Sequence, residues 1–424
     1  MSSLSLSAST VAVPAQSGRL DYLDATRAFA LVLGVIFHAS LSFVPTFMAW
    51  AVQDVSTSPL VSMFVTLCHT FRMETFFLLA GFLGQVTYHR KGTVPFIRSR
   101  VVRIVLPFVV GWFLFRPLLV SGWIMGSESL RGDYHFWPAL RGGIQSLSTL
   151  PAGLFNGSHL WFLYYLAMVT ALTLVLRGLV MLSGPVGAKM SAIADGSVRW
   201  LARSPVSLLA LVVPTAAALW FMRFWGMDTP DQALRPHIPA LLIYGGFFVL
   251  GWLLARQRGV LSSFCQLKPT RFIAAVLGIV GVLKLGAIER DPGHPHFVAA
   301  HVVYAACYAL TMWSLVLITL GVFEKLFRQP HPWVRYVADS SYWMYLVHLP
   351  IVVWLQVAVA EWPLHWSIKL IIISFLTIAV SLVSYDLFVR STWVGGWLNG
   401  ARKERALGQI LTPRDVARSP MPSA

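Results

Sequence analysis

Charged residues are scarce in this sequence of 424 residues. Only 12% of the residues are charged and 57% are hydrophobic, whereas about one quarter of the residues of a soluble domain are charged. Apolar stretches of about 20 residues, the length that crosses a bilayer, recur along the chain. This composition excludes a soluble globular domain and indicates a polytopic membrane protein.

Cysteine is also rare, and its three positions provide neither a disulfide framework nor metal-ligand spacing. Residues 1–18 lack a basic segment followed by an apolar core, so they are predicted to form a polar tail and not a cleaved signal peptide. We find no internal repeat and no appended soluble domain. We therefore expect an N-terminal tail over 1–18, one membrane domain over 19–392 and a C-terminal tail over 393–424.

The apolar stretches predict an all-α membrane protein with about ten transmembrane helices. The predicted spans are 24–46, 60–88, 101–122, 159–182, 206–224, 238–255, 272–289, 297–322, 340–358 and 366–389. Basic links such as "YHRKGTVPFIRSRVVR" and "EKLFRQPHPWVR" alternate with links such as "VAVAEWPLHWS", which has no Lys or Arg. The positive-inside rule then predicts that both termini lie in the cytoplasm. Most of the net charge of +16 is explained by this topology, and no nucleic-acid partner is expected.

The first span, "DATRAFALVLGVIFH", carries ionisable residues at its start and deep inside it. Arg27 and His38 are eleven residues apart, which is three helical turns, so both project from one face about 16 Å apart. Asp24 lies within one turn of Arg27 and can orient it. Ionisable groups inside a bilayer are costly and are candidates for function. The alternative for His38 is a buried histidine bonded to a neighbouring helix.

The second span, "CHTFRMETFFLLAGF", contains a deep arginine. Arg72 needs a carboxylate, backbone carbonyls or a water-filled cavity at that depth, and its alternative role is an ion pair that fixes helix packing. Glu74 points largely away from the face of Arg72. Arg100 and Arg103 are three residues apart where the third span begins, and they either bind phosphate or mark the cytoplasmic flank.

Two further motifs place histidines at the ends of spans. "SHLWFL" contains His159 and Trp161, which are candidates for the acceptor side or are interface anchors. "SSYWMYLVHLP" contains His348, which enters the membrane on the ninth span.

Taken together and in this order, these stretches resemble the acyltransferase-3 family of ten-span membrane proteins. The matching segments are "YLDATRAFALVLGVIFH", "ETFFLLAGF", the Arg-x-x-Arg step, "HLWFL" and "SYWMYLVHLP". They extend from residue 20 to about 390. Within the family, the likeness is greatest to members that succinylate osmoregulated periplasmic glucans.

The resemblance implies a multi-pass enzyme of the bacterial inner membrane that takes an acyl group from cytoplasmic acyl-CoA and gives it to a sugar hydroxyl outside. Succinyl-CoA or acetyl-CoA is the expected donor, and no metal or tightly bound cofactor is expected. Arg27, Arg100 and Arg103 would hold the CoA phosphates, and Arg72 would hold the free carboxylate of a succinyl group. His38 would act as general base or be acylated itself. The further catalytic candidates are Asp24, Glu74 and His348.

Other functions stay open at the level of sequence. One is an O-acetyltransferase for another envelope glycan. A glycan or proton-coupled transporter would also bury His and Arg residues, but is expected to show an internal repeat. A flippase or structural partner of a glucan synthase would need no acyl-donor site. Association with the glucan synthase machinery and a homodimer are further open expectations.

Overall fold

The computed structural model describes residues 20–46, 48–129, 134–148, 158–231, 234–329 and 331–406. Within these ranges the regular structure is helical, with no β-strand. The predicted N-terminal tail, 1–18, and the last part of the predicted C-terminal tail, 407–424, lie outside the described residues. The predicted boundary at residue 392 is followed by a further short helix.

The helices vary in length from 7 residues to more than 30. They are α1 (Asp21–Ser40), α2 (Pro59–Lys91), α3 (Thr93–Ser129), α4 (Phe136–Gln145), α5 (Trp161–Leu182), α6 (Gly184–Arg203), α7 (Ser207–Leu219), α8 (Ile238–Arg256), α9 (Arg258–Cys265), α10 (Pro269–Leu285), α11 (Phe297–Leu326), α12 (Pro332–Val359), α13 (Trp366–Ser384) and α14 (Trp393–Asn399).

The prediction of an all-α membrane protein with about ten spans is confirmed. Nine helical stretches in the described ranges are long and apolar enough to cross a bilayer, and the pair α6 and α7, bent by 115°, makes a tenth if it is counted as one span. Large apolar side chains are exposed along the outer helices, as expected of a surface that faces lipid. Examples are Val109, Phe113, Leu172, Leu176, Ile273, Leu277, Ile371 and Phe375.

The predicted fifth span, 206–224, differs most from the structure. Its helix α7 has only 13 residues, about 20 Å at 1.5 Å per residue, against a hydrocarbon core of about 30 Å. The chain turns sharply before it, because Ser204 has an extended backbone, the conformation favoured before a proline, here Pro205.

Helix α6 occupies a stretch that the sequence analysis treated as a basic link. Its exposed apolar residues Val186, Met190, Ile193 and Trp200 recur at helical spacing. A helix with such a face and basic residues elsewhere is typical of one that lies in the membrane interface.

The helices alternate in direction, so the bundle has two distinct ends. We call the end where α1 begins and α2 finishes the basic end, because the last turn of α2 is basic. Ion pairs of Arg335 with Asp21 and of Arg256 with Asp195, each at 2.8 Å, lie at the same end. The other end, where α1 finishes and α2 begins, is called the opposite end. It contains a buried ion pair between Lys369 and Asp54, also at 2.8 Å.

Helices α2 and α8 approach each other through glycines. A Cβ added to Gly81 would lie 1.9 Å from the carbonyl oxygen of Phe248, and one added to Gly251 would lie 1.9 Å from that of Leu78. Small residues at such contacts allow two membrane helices to pack backbone to backbone.

We therefore expect Gly81→Ala and Gly251→Ala to force α2 and α8 apart. Overpacking of this kind costs about 1–3 kcal/mol, which thermal unfolding in detergent would measure. The matched control is Gly246→Ala on α8, because a Cβ there meets nothing within 4 Å. Equal melting temperatures for all three variants and the unmodified protein would contradict this account of the interface.

Candidate active site

A cavity of about 1060 Å³ penetrates the bundle among α1, α2, α3, α5 and α12. It brings together most of the residues that the sequence singled out. Those lining it are Asp24, Arg27, His38, Arg72, Arg100, Arg103, His159, Trp161 and His348. Apolar side chains such as Leu31, Phe76 and Leu83 line it as well.

Cationic side chains surround the cavity at the basic end. Arg27, Arg100 and Arg103 are joined there by Arg90, Arg258 and Lys403, which the sequence analysis did not single out. Lys403 pairs with the carboxylate of Asp339, which also lines the cavity. The concentration of guanidinium groups makes this mouth suitable for phosphate groups, which accept paired hydrogen bonds from arginine.

The backbone around Arg100 and Arg103 is not a regular α-helix. Val101–Val105 forms a π-helical turn within α3, a feature that is frequent at functional sites. The guanidinium of Arg100 lies 4.6 Å from the centre of the Phe96 ring. The hydroxyl of Tyr342, on α12, donates to the backbone carbonyl of Arg103. The bond from Tyr342 joins this part of α3 to α12 at the rim of the cavity.

Arg27 is held at the same rim by contacts that leave part of its guanidinium for a ligand. Its Nη2 donates to the carbonyl of Ala338 at 2.7 Å and lies 3.4 Å from the carboxylate of Asp24. Asp24 thus orients Arg27, as the spacing along α1 suggested.

Three histidines lie together at the inner end of the cavity. Nδ1 of His38 is 3.0 Å from Nε2 of His348. The ring of His159 stands perpendicular to that of His348, with 5.4 Å between their centres. His348 and His159 are buried, so the cluster is shielded except on the side of the cavity.

The hydrogen bonds of His348 determine the tautomer of His38 when both rings are neutral. Nδ1 of His348 faces the carbonyl oxygens of Tyr345 at 2.7 Å and Met344 at 3.1 Å, so it must carry the proton. Nε2 of His348 is then an acceptor, and the proton in its bond to His38 must come from Nδ1 of His38. The lone pair of His38 is consequently on Nε2, where it can accept a proton from a substrate.

His159 forms a hydrogen bond to α12 at a backbone carbonyl that Pro350 leaves without a partner. A proline has no backbone N–H, so the carbonyl four residues earlier, that of Leu346, loses its partner within the helix. Nε2 of His159 donates to this carbonyl at 3.0 Å. Nδ1 of His159 is left as an acceptor, buried and without a hydrogen-bond partner among the described residues.

Arg72 reaches the cavity with little of its hydrogen-bonding capacity used. Its guanidinium lies 4.3 Å from the centre of the Phe37 ring, and Nη1 makes a long contact of 3.4 Å with the carbonyl of Gly34. Its Nε is buried and has no partner in the described part of the chain. A buried cation with free donors is suited to an anionic ligand.

The structure does not bring Glu74 into the cavity. Its side chain is fully buried on α2, and neither carboxylate oxygen has a hydrogen-bond partner among the residues described. This agrees with its position on a different face of α2 from Arg72. Trp161 does line the cavity, and its ring packs on Tyr244 at 5.5 Å.

Two residues near His38 were missed by the sequence analysis. Gln356, on α12, donates to the carbonyls of His38 at 3.0 Å and Ala39 at 3.1 Å, and accepts from Nε1 of Trp50 at 2.9 Å. A lone amide within an apolar span is the signal that could have indicated Gln356. Trp50 lies in a link, where no periodicity connects it to the site.

Comparison with known proteins agrees with this architecture. A family model described as an acyltransferase domain matches residues 20–386. The proteins named glucans biosynthesis protein C from Escherichia coli K12 and from Escherichia coli O1:K1 are each 31% identical to this chain over 160 residues. That region is 38% of this chain and 39% of each relative. No solved structure matches the chain.

Proposed function

Since this chain belongs to the acyltransferase-3 family, we propose that it transfers a succinyl group from succinyl-CoA to hydroxyls of a periplasmic glucan. The observation that carries the proposal is one cavity with a cationic mouth and a histidine cluster at its inner end. The name of the relatives supports a glucan as acceptor. The corresponding acetyl transfer, from acetyl-CoA, uses the same site.

In the proposed reaction, the CoA phosphates bind to Arg27, Arg100 and Arg103 at the mouth. The pantetheine arm extends along α1, over the roughly 16 Å that separate Arg27 from His38. Arg72 binds the free carboxylate of the succinyl group, because its Nε is buried and has no hydrogen-bond partner among the described residues. The thioester then lies beside the histidine cluster.

Transfer requires one base and no metal. A glucan hydroxyl oxygen attacks the thioester carbonyl while Nε2 of His38 takes the hydroxyl proton. His348 accepts a hydrogen bond from Nδ1 of His38 and so stabilises the imidazolium that forms. The tetrahedral intermediate releases the CoA sulfur, which receives the proton from His38, and an ester remains on the glucan.

We further propose that the basic end faces the cytoplasm, in the inner membrane of a bacterium. The alternation of basic and charge-poor links supports this orientation, and it places the cationic mouth on the side where acyl-CoA is made. Reporter fusions after residue 91 and after residue 406 test it. A periplasmic signal from either fusion would contradict the orientation.

Mass spectrometry of periplasmic glucans tests the proposed function in cells. Glucans from cells that express the protein are expected to carry the extra mass of one succinyl group for each ester formed, whereas glucans from cells without the protein lack this extra mass. Glucans that are identical in the two strains would contradict the proposed acceptor.

A further inference from the structure

The indole of Trp50 lies parallel to the imidazole of the proposed base. The indole is stacked on the imidazole of His38, with 6.0 Å between the ring centres and an interplanar angle of 6°. His38 lines the cavity, whereas Trp50 does not. The imidazole therefore separates the donor cavity from the indole, which belongs to the link between α1 and α2 at the opposite end.

One amide fixes both rings. Gln356 is buried, and its Oε1 accepts the only polar hydrogen of the Trp50 indole. Its Nε2 donates to the carbonyls at the end of α1, including that of His38. Because the polar edge of Trp50 is occupied, the ring has only its apolar surface to offer to a ligand.

Trp50 is part of a larger aromatic group at the opposite end. Trp123 contacts it edge to face, with 5.2 Å between ring centres. Trp50, Trp123 and Trp354 are half-buried and pack on one apolar cluster that includes Val52 and Val353. Partly exposed aromatic rings beside a base are suited to a sugar, because the C–H face of a pyranose packs on an aromatic face while its hydroxyls stay at the edge.

We propose that Trp50 is a binding residue for the sugar acceptor and also shields the base from water. A pyranose unit of the acceptor stacks on the Trp50 and Trp123 pair and presents one hydroxyl to His38. In the absence of the sugar, the indole keeps external water from the imidazole. This inference rests on the proposed function and specifies the acceptor end of the same site.

Trp50→Ala tests the inference in the purified full-length protein, with succinyl-CoA and a neutral glucose tetrasaccharide. The KM for the tetrasaccharide is expected to rise about three- to tenfold, the size of a lost aromatic contact. The KM for succinyl-CoA is expected to stay unchanged. Hydrolysis of succinyl-CoA without sugar is expected to increase, a change that a merely structural role would not produce.

Trp50→Phe keeps a ring at this position and is expected to raise the KM for the sugar less than Trp50→Ala does. The matched control is Trp362→Ala, a partly exposed tryptophan at the same end but outside the aromatic group, which is expected to leave both KM values unchanged. An unaltered sugar KM and an unaltered hydrolysis rate in Trp50→Ala would overturn this inference alone. Wild-type protein that hydrolyses succinyl-CoA but acylates no sugar would overturn the proposed function as well.

Discussion

Replacing His38 by alanine is expected to lower the rate of acyl transfer by about 10²–10⁴-fold, the usual contribution of a general base. The donor should still bind with nearly wild-type affinity, because the cationic mouth lies about 16 Å along α1 from His38. Steady-state transfer to a glucose oligosaccharide measures the rate. Equilibrium binding of a non-hydrolysable succinyl-CoA analogue measures the affinity for the donor.

The matched control is His301→Ala, since His301 lies on α11 outside the cavity and stacks between Trp220 and Trp225. The His301→Ala variant should retain its transfer activity as long as it folds. His348→Ala should reduce transfer by less than His38→Ala, because His348 only orients and stabilises the base. An active His38→Ala variant beside an inactive His348→Ala variant would place the base on α12 and contradict the proposed reaction.

Removing the three arginines of the mouth, Arg27, Arg100 and Arg103, is expected to weaken acyl-CoA binding strongly. A hydrogen bond to a charged group contributes about 1.5–3 kcal/mol, so each alanine substitution should raise the Kd about 10-fold or more. Lysine at the same position keeps the charge but loses the paired donors of a guanidinium, so it should weaken binding less than alanine does. Isothermal titration with succinyl-CoA measures each Kd.

The control for these variants is Arg199→Ala. Arg199 lies at the basic end on α6, where it bonds to Gln257 and does not line the cavity. The Arg199→Ala substitution should leave the Kd for succinyl-CoA unchanged. Wild-type affinity in all three alanine variants of the mouth would mean that those arginines serve only to orient the protein in the membrane.

Periodicity along single helices predicted the parts of the site that depend on one element. Arg27 and His38 share a face of α1 because eleven residues make three turns, and the structure places both in the cavity. Arg72 is deep in α2 and could be identified because a buried guanidinium is costly. The same reasoning placed Glu74 away from that face, and the structure keeps it out of the cavity.

Contacts between elements could not be predicted in this way. The bond between His38 and His348 joins residues 310 positions apart. Lys403 lines the mouth of the cavity only because the chain after α13 folds back toward this mouth. The role of Pro350 depends on His159, which belongs to another helix. Helix α6 was missed because its apolar residues recur on one face and never form a continuous run.

The most direct test of the account follows a labelled acyl group through the purified protein in liposomes. The donor is succinyl-CoA with ¹³C in the succinyl group, and the acceptor is the glucose tetrasaccharide. A ¹³C-succinyl ester on the sugar and an equal amount of free CoA are expected, with an ester yield about 10²–10⁴-fold lower for His38→Ala over the same time. Label found only in succinyl-CoA and free succinate, or the same ester yield with His38→Ala, would contradict the proposed reaction.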